Sequence, residues 1–580
     1  MNLVTIDNEK LWSKSKRNLL VGNWCIDNNH RYSKNEAKDY LVSEYHWENK
    51  SKYKNDLKYL YKIYDFLLEN LSLYLNKIHN LKYPKRYWEI LLFKWFWTYL
   101  IMTYDRWEII RSITSKNKNL SSKIFCYDPK NFIPSDGYEF VRAFVYSDDW
   151  NHWIYTEILK FVGGVDFNFV DKNNIEPKFL YNKEEIKSGS YLLNSMFALP
   201  SSQKIFGQNL NFSRQFKIIY GIFYKQFRYI RTIDEKKLNA PLNMDMRHNL
   251  DKLSKEEDNF VKFVCSLIKY NLPKTYLENY DAIKNSIREF KVPSNPKIIM
   301  TSMDQDFNDA FKFYTAQKVI DGSKFFIFQH GGHYGTCALP HALEKIEIKI
   351  SDRFFSWGWK DDSKKIFPLF LQKTIYQKIN KKKNATGLII PINETYLSPG
   401  THNNTGQPTN KIYVNKYIDN IVLFASQINQ NILKDSNFKY FDVVKCNYTL
   451  KSLKFKFPNC KFINPIKNTC EISNSFKLTV ETDNSTGFLE SLNLNIPVIL
   501  IYDEKYCSLR KSAIKDFEML KKVKIMHDSP EEAAKFVNEN YDHLEKWWNS
   551  KSLQSAKNKF CYKFARQSKS PLKDLKKVLS

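Results

Sequence analysis

Short apolar runs alternate with longer amphipathic stretches through the second half of the chain. Runs of this kind, rich in Ile, Val and Phe, are typical of strands buried on both faces of a parallel sheet. Because strands and helices alternate, the pattern predicts α/β units. The predicted strands are 296–302, 324–332, 353–359, 387–392, 420–426, 461–464, 477–483 and 497–503, and the predicted helices are 307–321, 411–419, 427–435 and 486–493.

The first half of the chain has a mainly helical pattern. An apolar run at Asn18–Ile26 predicts one buried strand, and Asn23 stands where that strand would meet its ligand-side loop. A long helical region is predicted over about 56–115. Shorter helices are predicted at 148–160 and 256–272, and a closing helical stretch at about 530–568.

The strands of the second half fall into two sets, which predict two Rossmann-type domains facing a cleft. The N-terminal domain, residues 1–375, would carry a large helical elaboration. The C-terminal domain would span residues 376–530. Helices in residues 531–580 would then pack back across both domains.

The stretch Tyr87–Ile110 carries aromatic side chains on several helical faces. A helix that is apolar all round is typical of a protein core. The alternative is an interfacial helix that dips into one membrane leaflet, which Trp, Tyr and flanking basic residues would suit. Charged residues interrupt the stretch, so it does not predict a transmembrane helix.

The composition indicates a folded protein with a strong positive charge. The 580 residues are 43% hydrophobic and 16% aromatic, and the formal net charge is +28. Charge of this size can attract nucleic acid or an anionic membrane. The basic residues are spread along the chain, and no zinc-finger spacing or Arg-rich tail is present, so a nucleic-acid partner is not predicted.

The cysteines and the first residues indicate a reducing compartment. There are nine Cys at wide spacings with no CxxC, which argues against a disulfide framework and against structural zinc. The opening residues 1–17 lack the apolar segment of a signal peptide. We therefore expect a cytoplasmic protein.

One candidate for chemistry is the segment Gln329–Gly335, which follows a predicted strand. Gly331 and Gly332 would let backbone amides approach a phosphate or a sugar. His330 could act as a general base or donate to a phosphate. The alternative is a glycine turn with a hydrogen-bonded histidine. Gln329 and Tyr334 complete the predicted binding segment.

A second candidate is the segment 482–490, which follows the predicted strand at 477–483. Ser485, Thr486 and Gly487 would open a helix whose N-terminal amides can hold phosphate. Glu490 would lie about one turn further on, where a carboxylate can accept from ribose hydroxyls. The alternative is an ordinary helix cap followed by a solvated Glu.

Four further residues are weaker candidates. Asp149 and His152 would share one helical turn, as a carboxylate and an imidazole in an acid/base role would. Asp105 and Arg106 would form either a substrate contact or a structural ion pair inside an aromatic helix. No DxD motif and no metal-ligand spacing is present where a metal-dependent transferase would need one, so no metal is predicted.

An ordered series of motifs resembles a family of transferases from O-antigen and surface-carbohydrate gene clusters, first catalogued in Leptospira. The C-terminal half also resembles the wider GT-B group of sugar-nucleotide enzymes, which includes Kdo-type transferases and UDP-N-acetylglucosamine 2-epimerases. The motifs are GNWC (22–25), YHW (45–47), KRYWEILLFKWFWTYLIMTYDRW (85–107), DDWNHWIY (148–155), LPKTYLE (272–278), PKIIMTS (296–302), QHGGHYG (329–335), ISDRFFSWGW (350–359), TDNSTGFLE (482–490) and WW (547–548).

This resemblance implies a GT-B-like glycosyltransferase that moves a sugar from a nucleotide-activated donor onto a lipopolysaccharide O-antigen or another surface polysaccharide. Ser485, Thr486, Gly487 and Glu490 would then hold the donor, and the N-terminal domain would hold the acceptor. His330, Asp149 or His152 would be the acid/base. The partners would be a nucleotide sugar, a lipid-linked or polysaccharide acceptor and the inner face of the cytoplasmic membrane, with no separate cofactor. The alternatives are a sugar-nucleotide epimerase and a non-catalytic assembly protein.

Overall fold

Three parallel β-sheets follow one another along the chain. The computed structural model describes residues 1–26, 40–170, 176–177, 204–226, 238, 240–253, 257–290, 292–338, 343–380, 382–392, 411–440, 448–464, 469–503 and 508–580. Within them the sheets contain five, five and six strands. Every pairing between neighbouring strands that is resolved in register is parallel, which confirms the predicted α/β class.

The N-terminal sheet has the strand order β3-β2-β1-β4-β5, and the middle sheet has the order β10-β9-β8-β7-β6. The C-terminal sheet has the order β13-β12-β11-β14-β15-β16. The strands are β1 Asn2–Val4, β2 Asn18–Leu20, β3 Tyr40–Val42, β4 Leu120–Ile124, β5 Val165–Phe169, β6 Ile205–Gln208, β7 Ile298–Thr301, β8 Lys324–Phe328, β9 Arg353–Ser356, β10 Ile366–Pro368, β11 Leu388–Pro391, β12 Asn437–Lys439, β13 Lys461–Ile463, β14 Leu478–Glu481, β15 Val498–Ile501 and β16 Met526–His527.

Helices connect and cover the strands. Before β11 they are α1 Lys50–Ile78, α2 Lys85–Lys116, α3 Gly137–Arg142, α4 Asp148–Val162, α5 Arg214–Tyr224, α6 Met244–His248, α7 Asn259–Asn271, α8 Tyr280–Ile287, α9 Asp304–Phe307, α10 Asp309–Ile320 and α11 Glu344–Ile350. After β11 they are α12 Lys411–Gln427, α13 Gln430–Lys434, α14 Tyr448–Lys456, α15 Thr469–Ile472, α16 Thr486–Asn493, α17 Lys511–Lys522, α18 Pro530–Asn540, α19 Leu544–Trp548, α20 Lys551–Phe564 and α21 Pro571–Leu579.

Helix α2 is the central packing element of the first half of the chain. Nearly every residue from Tyr87 to Ile110 is buried. The indole N–H of Trp95 donates to the carbonyl oxygen of Asn271 at 2.8 Å, and the hydroxyl of Tyr99 donates to the carbonyl oxygen of Val264 at 2.9 Å. The aromatic stretch is therefore a core helix, and its rings are covered by protein. No helix in the described part of the chain combines the length and apolarity needed to cross a bilayer.

Alternate side chains of the middle sheet enter two different cores, as expected for a strand period of two residues. Helix α5 and the C-terminal helix α21 cover one face, with Phe216 and Tyr220 from α5 and Leu575 and Leu579 from α21. The other face joins the large core that contains α2. The sheet side chains beneath α5 include Met300, Phe326, Phe328 and Phe355. The sheet side chains that point towards α2 include Ile299, Phe325, Ile327 and Phe354.

Two features differ from the sequence predictions. The run at 420–426, predicted as a strand, lies within helix α12. Its buried residues Ile421, Phe424, Ala425 and Ile428 recur at i, i+3, i+4 and i+7, a helical period that a short apolar run conceals. The described residues before 170 also form a five-stranded sheet, of which only β2, within the predicted run Asn18–Ile26, was predicted. Strands β1 and β3 contain only three residues each, which is too short for a clear pattern.

The burial of Trp95 predicts a large loss of stability on truncation. Trp95→Ala removes a fully buried indole and its hydrogen bond, and it should lower the free energy of unfolding by about 3–5 kcal/mol. Leu73→Ala, which truncates an exposed side chain of α1, is the matched control and should change stability by less than about 0.5 kcal/mol. Urea denaturation followed by circular dichroism measures both, and equal effects would contradict the core assignment.

Candidate functional site

The middle and C-terminal sheets meet through the loops that follow β8 and β14. The amide of Gly332 donates to the Thr486 hydroxyl at 2.9 Å. A β-carbon at Gly332 would lie 2.5 Å from the carbonyl carbon of Ser485, so only glycine fits this contact. The two segments that the sequence analysis placed on opposite sides of a cleft are therefore in direct contact at this point, and Thr486 already engages the Gly332 amide.

Further contacts fasten the same two loops. The Nε2 atom of His333 lies 3.3 Å from Oδ2 of Asp483, and the Asn484 amide donates to the Thr336 hydroxyl at 3.0 Å. The guanidinium of Arg510 donates to the backbone carbonyl next to this loop, at Cys337. Two Rossmann-type sheets thus face each other at the carboxyl ends of their strands, which is the GT-B arrangement.

His330 lies on the accessible side of this junction. Its side chain is 14% exposed. Nε2 lies 3.4 Å from the Tyr334 hydroxyl, and Nδ1 lies 3.9 Å from Oε1 of Glu347. Burial lowers the pKa of His330 to about 4, so the imidazole is neutral near pH 7 and can accept a proton.

A network of buried side chains around Glu347 and Asp306 lies next to His330. Glu347 accepts from the Tyr334 hydroxyl at 2.8 Å and from the Gln305 amide at 3.0 Å. Burial, and next the charge of Asp306, raise the pKa of Glu347. Asp306 in turn accepts from the Lys94 ammonium at 3.1 Å, an ion pair that ties α2 to the site.

Sequence patterns singled out none of Lys94, Gln305, Asp306 and Glu347 as site residues. One signal was available for two of them, because Gln305 and Asp306 come just after β7, and β7 and β8 are neighbours whose carboxyl ends share one edge. Lys94 and Glu347 lie on helices remote in sequence from that edge, and their spacing carries no such signal.

Three of these side chains could also hold a metal ion. One ligand atom each from Asp306, His330 and Glu347 lies within 4.8 Å of the others. The Lys94 ammonium is next to them, 3.1 Å from Asp306, and already supplies a positive charge to the same carboxylate. The three residues come from three separate segments, so no short sequence motif contains them.

The turn after β14 leads into the N-terminus of helix α16. Ser485 is the N-cap residue of α16, yet its side chain makes no capping hydrogen bond. Glu490, one turn into α16, has an oxygen 3.8 Å from the ammonium of Lys373, and burial raises the pKa of this carboxyl. A β-carbon at Gly487 would lie 2.8 Å from Oε1 of Glu481, which packs beneath the turn.

Lys373 connects the two candidate segments. It belongs to the stretch after β10, and its charge acts on both His330 and Glu490.

Two more ionisable residues close the base of the turn. Burial, and then the charge of Asp483, raise the pKa of Glu481 to about 8, and burial lowers the pKa of Lys439 to about 8. Sequence patterns singled out none of Lys373, Lys439 and Glu481.

The strand order explains why ligand chemistry is expected at this turn. In the C-terminal sheet the direction of winding reverses between β11 and β14. Open α/β sheets bind ligands outside the carboxyl ends of the strands at such a switch point. The turn of Ser485, Thr486 and Gly487 occupies that position.

Asn23, Asp149 and His152 lie elsewhere, at the carboxyl end of the N-terminal sheet. Asn23 follows β2, and Asp149 accepts from the Tyr127 hydroxyl at 2.6 Å. His152 is fully buried, and burial lowers its pKa to about 3. Its Nδ1 lies 2.6 Å from the Thr5 hydroxyl, and its Nε2 accepts from the Phe125 amide at 3.1 Å. The structure thus does not join His152 to the His330 network.

Asp105 and Arg106 form a buried ion pair in α2. The Nη1 atom of Arg106 donates to Oδ2 of Asp105 at 2.5 Å, and its Nε donates to Asn151 at 2.9 Å. His46 contacts the other oxygen of Asp105 at 3.1 Å. These contacts connect α2 to α4 and to the segment before α1. They match the alternative in which Asp105 and Arg106 form a structural ion pair.

The family of the chain follows from its sequence over nearly its whole length. The profile of the LIC12162 family transferases matches residues 1–579. The chain therefore belongs to the LIC12162 family of transferases, which confirms the resemblance seen in its motifs. No curated protein is recognisably similar in sequence.

Solved structures show weaker likenesses. TarM is 14% identical, with 52% of this chain and 58% of TarM covered and a TM-score of 0.34. The wall teichoic acid polymerase TagF is 12% identical, with 66% of this chain and 90% of TagF covered and a TM-score of 0.34. MnaA of S. aureus, solved with UDP, is 10% identical, with 52% and 79% covered and a TM-score of 0.33.

The junction of the two loops predicts different effects for two adjacent glycines. Gly332→Ala would force a methyl group into the backbone of Ser485, and we expect a loss of about 1–3 kcal/mol in stability. Gly331→Ala is the matched control, because the nearest atom to its β-carbon would be 3.8 Å away. Thermal unfolding measures both variants. A Gly332→Ala protein as stable as Gly331→Ala would contradict the contact.

Proposed function

We propose that this LIC12162 family transferase is a glycosyltransferase that moves a sugar from a nucleotide-activated donor onto an O-antigen or another surface polysaccharide acceptor. One observation carries the proposal. The junction of two Rossmann-type sheets brings an accessible, neutral His330 and the helix-opening turn at Ser485 to the same edge, and the charge of Lys373 acts on both His330 and Glu490.

The donor nucleotide binds at the turn after β14. The first amides of α16 and the hydroxyl of Ser485 face the phosphates, because helix N-termini favour anions. Lys373 adds a positive charge near the leaving phosphate. Glu490 accepts from the ribose hydroxyls, as acidic residues do in related nucleotide folds. Gly487 allows the helix to pack closely on Glu481.

His330 is the acid/base of the transfer. Its neutral imidazole takes the proton of the attacking acceptor hydroxyl. The acceptor oxygen then forms a bond to the anomeric carbon while the bond from that carbon to the phosphate oxygen breaks, and the nucleotide leaves as an anion. Tyr334 and Glu347 position the ring from behind. Asp149 and His152 are left out of this step because their hydrogen bonds lie at the N-terminal sheet.

Phosphate charge is met without a metal ion in this proposal. The amides of α16 and Lys373 are the groups that stabilise the leaving phosphate. Lys94 takes the place of a divalent cation beside Asp306 and Glu347.

The acceptor is polysaccharide or lipid-linked sugar at the inner face of the cytoplasmic membrane. An epimerase acts on the nucleotide sugar alone and needs no acceptor surface. The additional N-terminal sheet supplies such a surface, and this favours transfer over epimerisation. A non-catalytic assembly protein would have no use for an accessible neutral imidazole beside a nucleotide turn.

Nucleotide binding tests the donor site. In a thermal-shift series with UDP, CMP, GDP and their sugars, one nucleotide should raise the melting temperature of the wild type, and Glu490→Ala should abolish that rise. Glu539→Ala, which changes an exposed acid of α18, is the matched control and should keep it. If no nucleotide stabilises the wild type, the donor site proposed here is wrong.

Turnover tests the acid/base assignment. With the donor identified above, His330→Ala should lower kcat about a hundredfold or more, because a positioned base contributes that much to a proton transfer. His543→Ala changes an exposed histidine and serves as the control. EDTA should leave the wild-type rate unchanged. An undiminished rate in His330→Ala would assign the proton transfer to another group.

A further inference from the structure

Helix α5 exposes an apolar stripe to solvent. Phe216 and Tyr220 anchor the helix on the middle sheet. On its outer side four large apolar side chains are between 36% and 66% exposed, and they fall on adjacent turns. We call this stripe the α5 face; it consists of Ile218, Ile219, Ile222 and Phe223. An apolar patch of this density is unusual on a surface that contacts only water.

Basic residues border the α5 face. Arg214 and Lys217 lie in the first turns of the helix, and Lys225 follows its last residue; all three are exposed. The segment 214–225 contains no acidic residue. Helix α21 packs against the same face of the middle sheet as α5, and it adds exposed Lys573, Lys576 and Lys577.

We propose that the α5 face binds an anionic lipid bilayer. An amphipathic helix with exposed aliphatic and aromatic side chains and a basic border is suited to lie in the interfacial region of a membrane. Each basic residue near such a surface adds an attraction to anionic headgroups. This inference goes beyond the transfer reaction, because it assigns a membrane-contacting surface that does not depend on the donor or the chemistry.

The N-terminus of helix α5 is connected to the candidate active site through Gln372. The amide of Ser213, the N-cap residue of α5, donates to the carbonyl oxygen of Gln372 at 3.1 Å. The Gln372 side chain donates to the carbonyl oxygen of Gln329 at 2.7 Å, and Gln329 immediately precedes His330. A protein held by α5 would therefore present the edge that carries His330 close to the membrane surface, where a lipid-linked acceptor lies.

Charge decides between a bilayer and a second copy of the chain. Two copies packed through the α5 face would bring the basic borders of both helices together, and each chain has a formal net charge of +28. Like charges at that distance repel, whereas anionic headgroups neutralise them. The occupant that complements both the apolar stripe and its border is an anionic membrane.

Vesicle co-sedimentation of the full-length protein tests this inference. The wild type should bind vesicles of phosphatidylcholine and phosphatidylglycerol and bind pure phosphatidylcholine vesicles much more weakly. Ile222→Glu with Phe223→Glu should weaken binding about tenfold or more. Lys217→Gln should weaken it about fivefold and make the remaining binding less sensitive to salt, because one screened attraction is lost. Ile222, Phe223 and Lys217 are exposed, so their substitution should not disturb the fold. Melting temperatures equal to that of the wild type would verify this.

Leu73→Glu, which places the same charge on an exposed apolar position of α1, is the matched control and should bind as the wild type does. Equal binding of wild type and the Ile222→Glu, Phe223→Glu variant would overturn the proposal. A wild-type dimer that this variant converts to a monomer, seen by light scattering, would also overturn it and assign the face to a second copy. The assay contains no nucleotide sugar, so its outcome is independent of whether glycosyl transfer occurs.

Discussion

The contact between Gly332 and the turn at Ser485 is the constraint on which the rest of the site depends. It joins two parallel sheets at their carboxyl edges, where loops rather than strands supply chemistry. At this junction the Lys373 ammonium lies 3.8 Å from Glu490, and its charge also acts on His330. Gly332 therefore lets the two sheets meet, and its amide, which could have bound phosphate, instead donates to Thr486.

Much of the fold could be predicted from the sequence, because buried parallel strands leave continuous apolar runs. The strands β8 and β14 and the loops after them were placed correctly, since each run ends at small or polar residues. The same signal failed at 420–426, where the apolar face of a helix produces an unbroken run. In the N-terminal sheet it found β2 but missed β1 and β3, which contain only three residues each.

The candidate site was only partly predictable, because its supporting groups come from distant segments. His330 and Glu490 follow strands and could be found by position. Lys94, Lys373 and Glu347 reach the same edge from α2, from the stretch after β10 and from α11. Only the packing of α2 and α11 against the middle sheet brings them there. Sequence periodicity reports which face of a helix is buried, and it does not report which partner that face meets.

Two histidines with similar pKa shifts show why geometry rather than the pKa favours His330 as the proposed acid/base. Burial lowers the pKa of His152 to about 3 and that of His330 to about 4, so both are neutral near pH 7. Both ring nitrogens of His152 are held, by Thr5 and by the Phe125 amide, and the side chain is sealed in the core. His330 keeps part of its ring exposed at the junction of two sheets, where its Nε2 lies 3.4 Å from the Tyr334 hydroxyl. A neutral imidazole can accept a proton from a substrate only where the substrate can reach it, and of these two histidines His330 meets that condition.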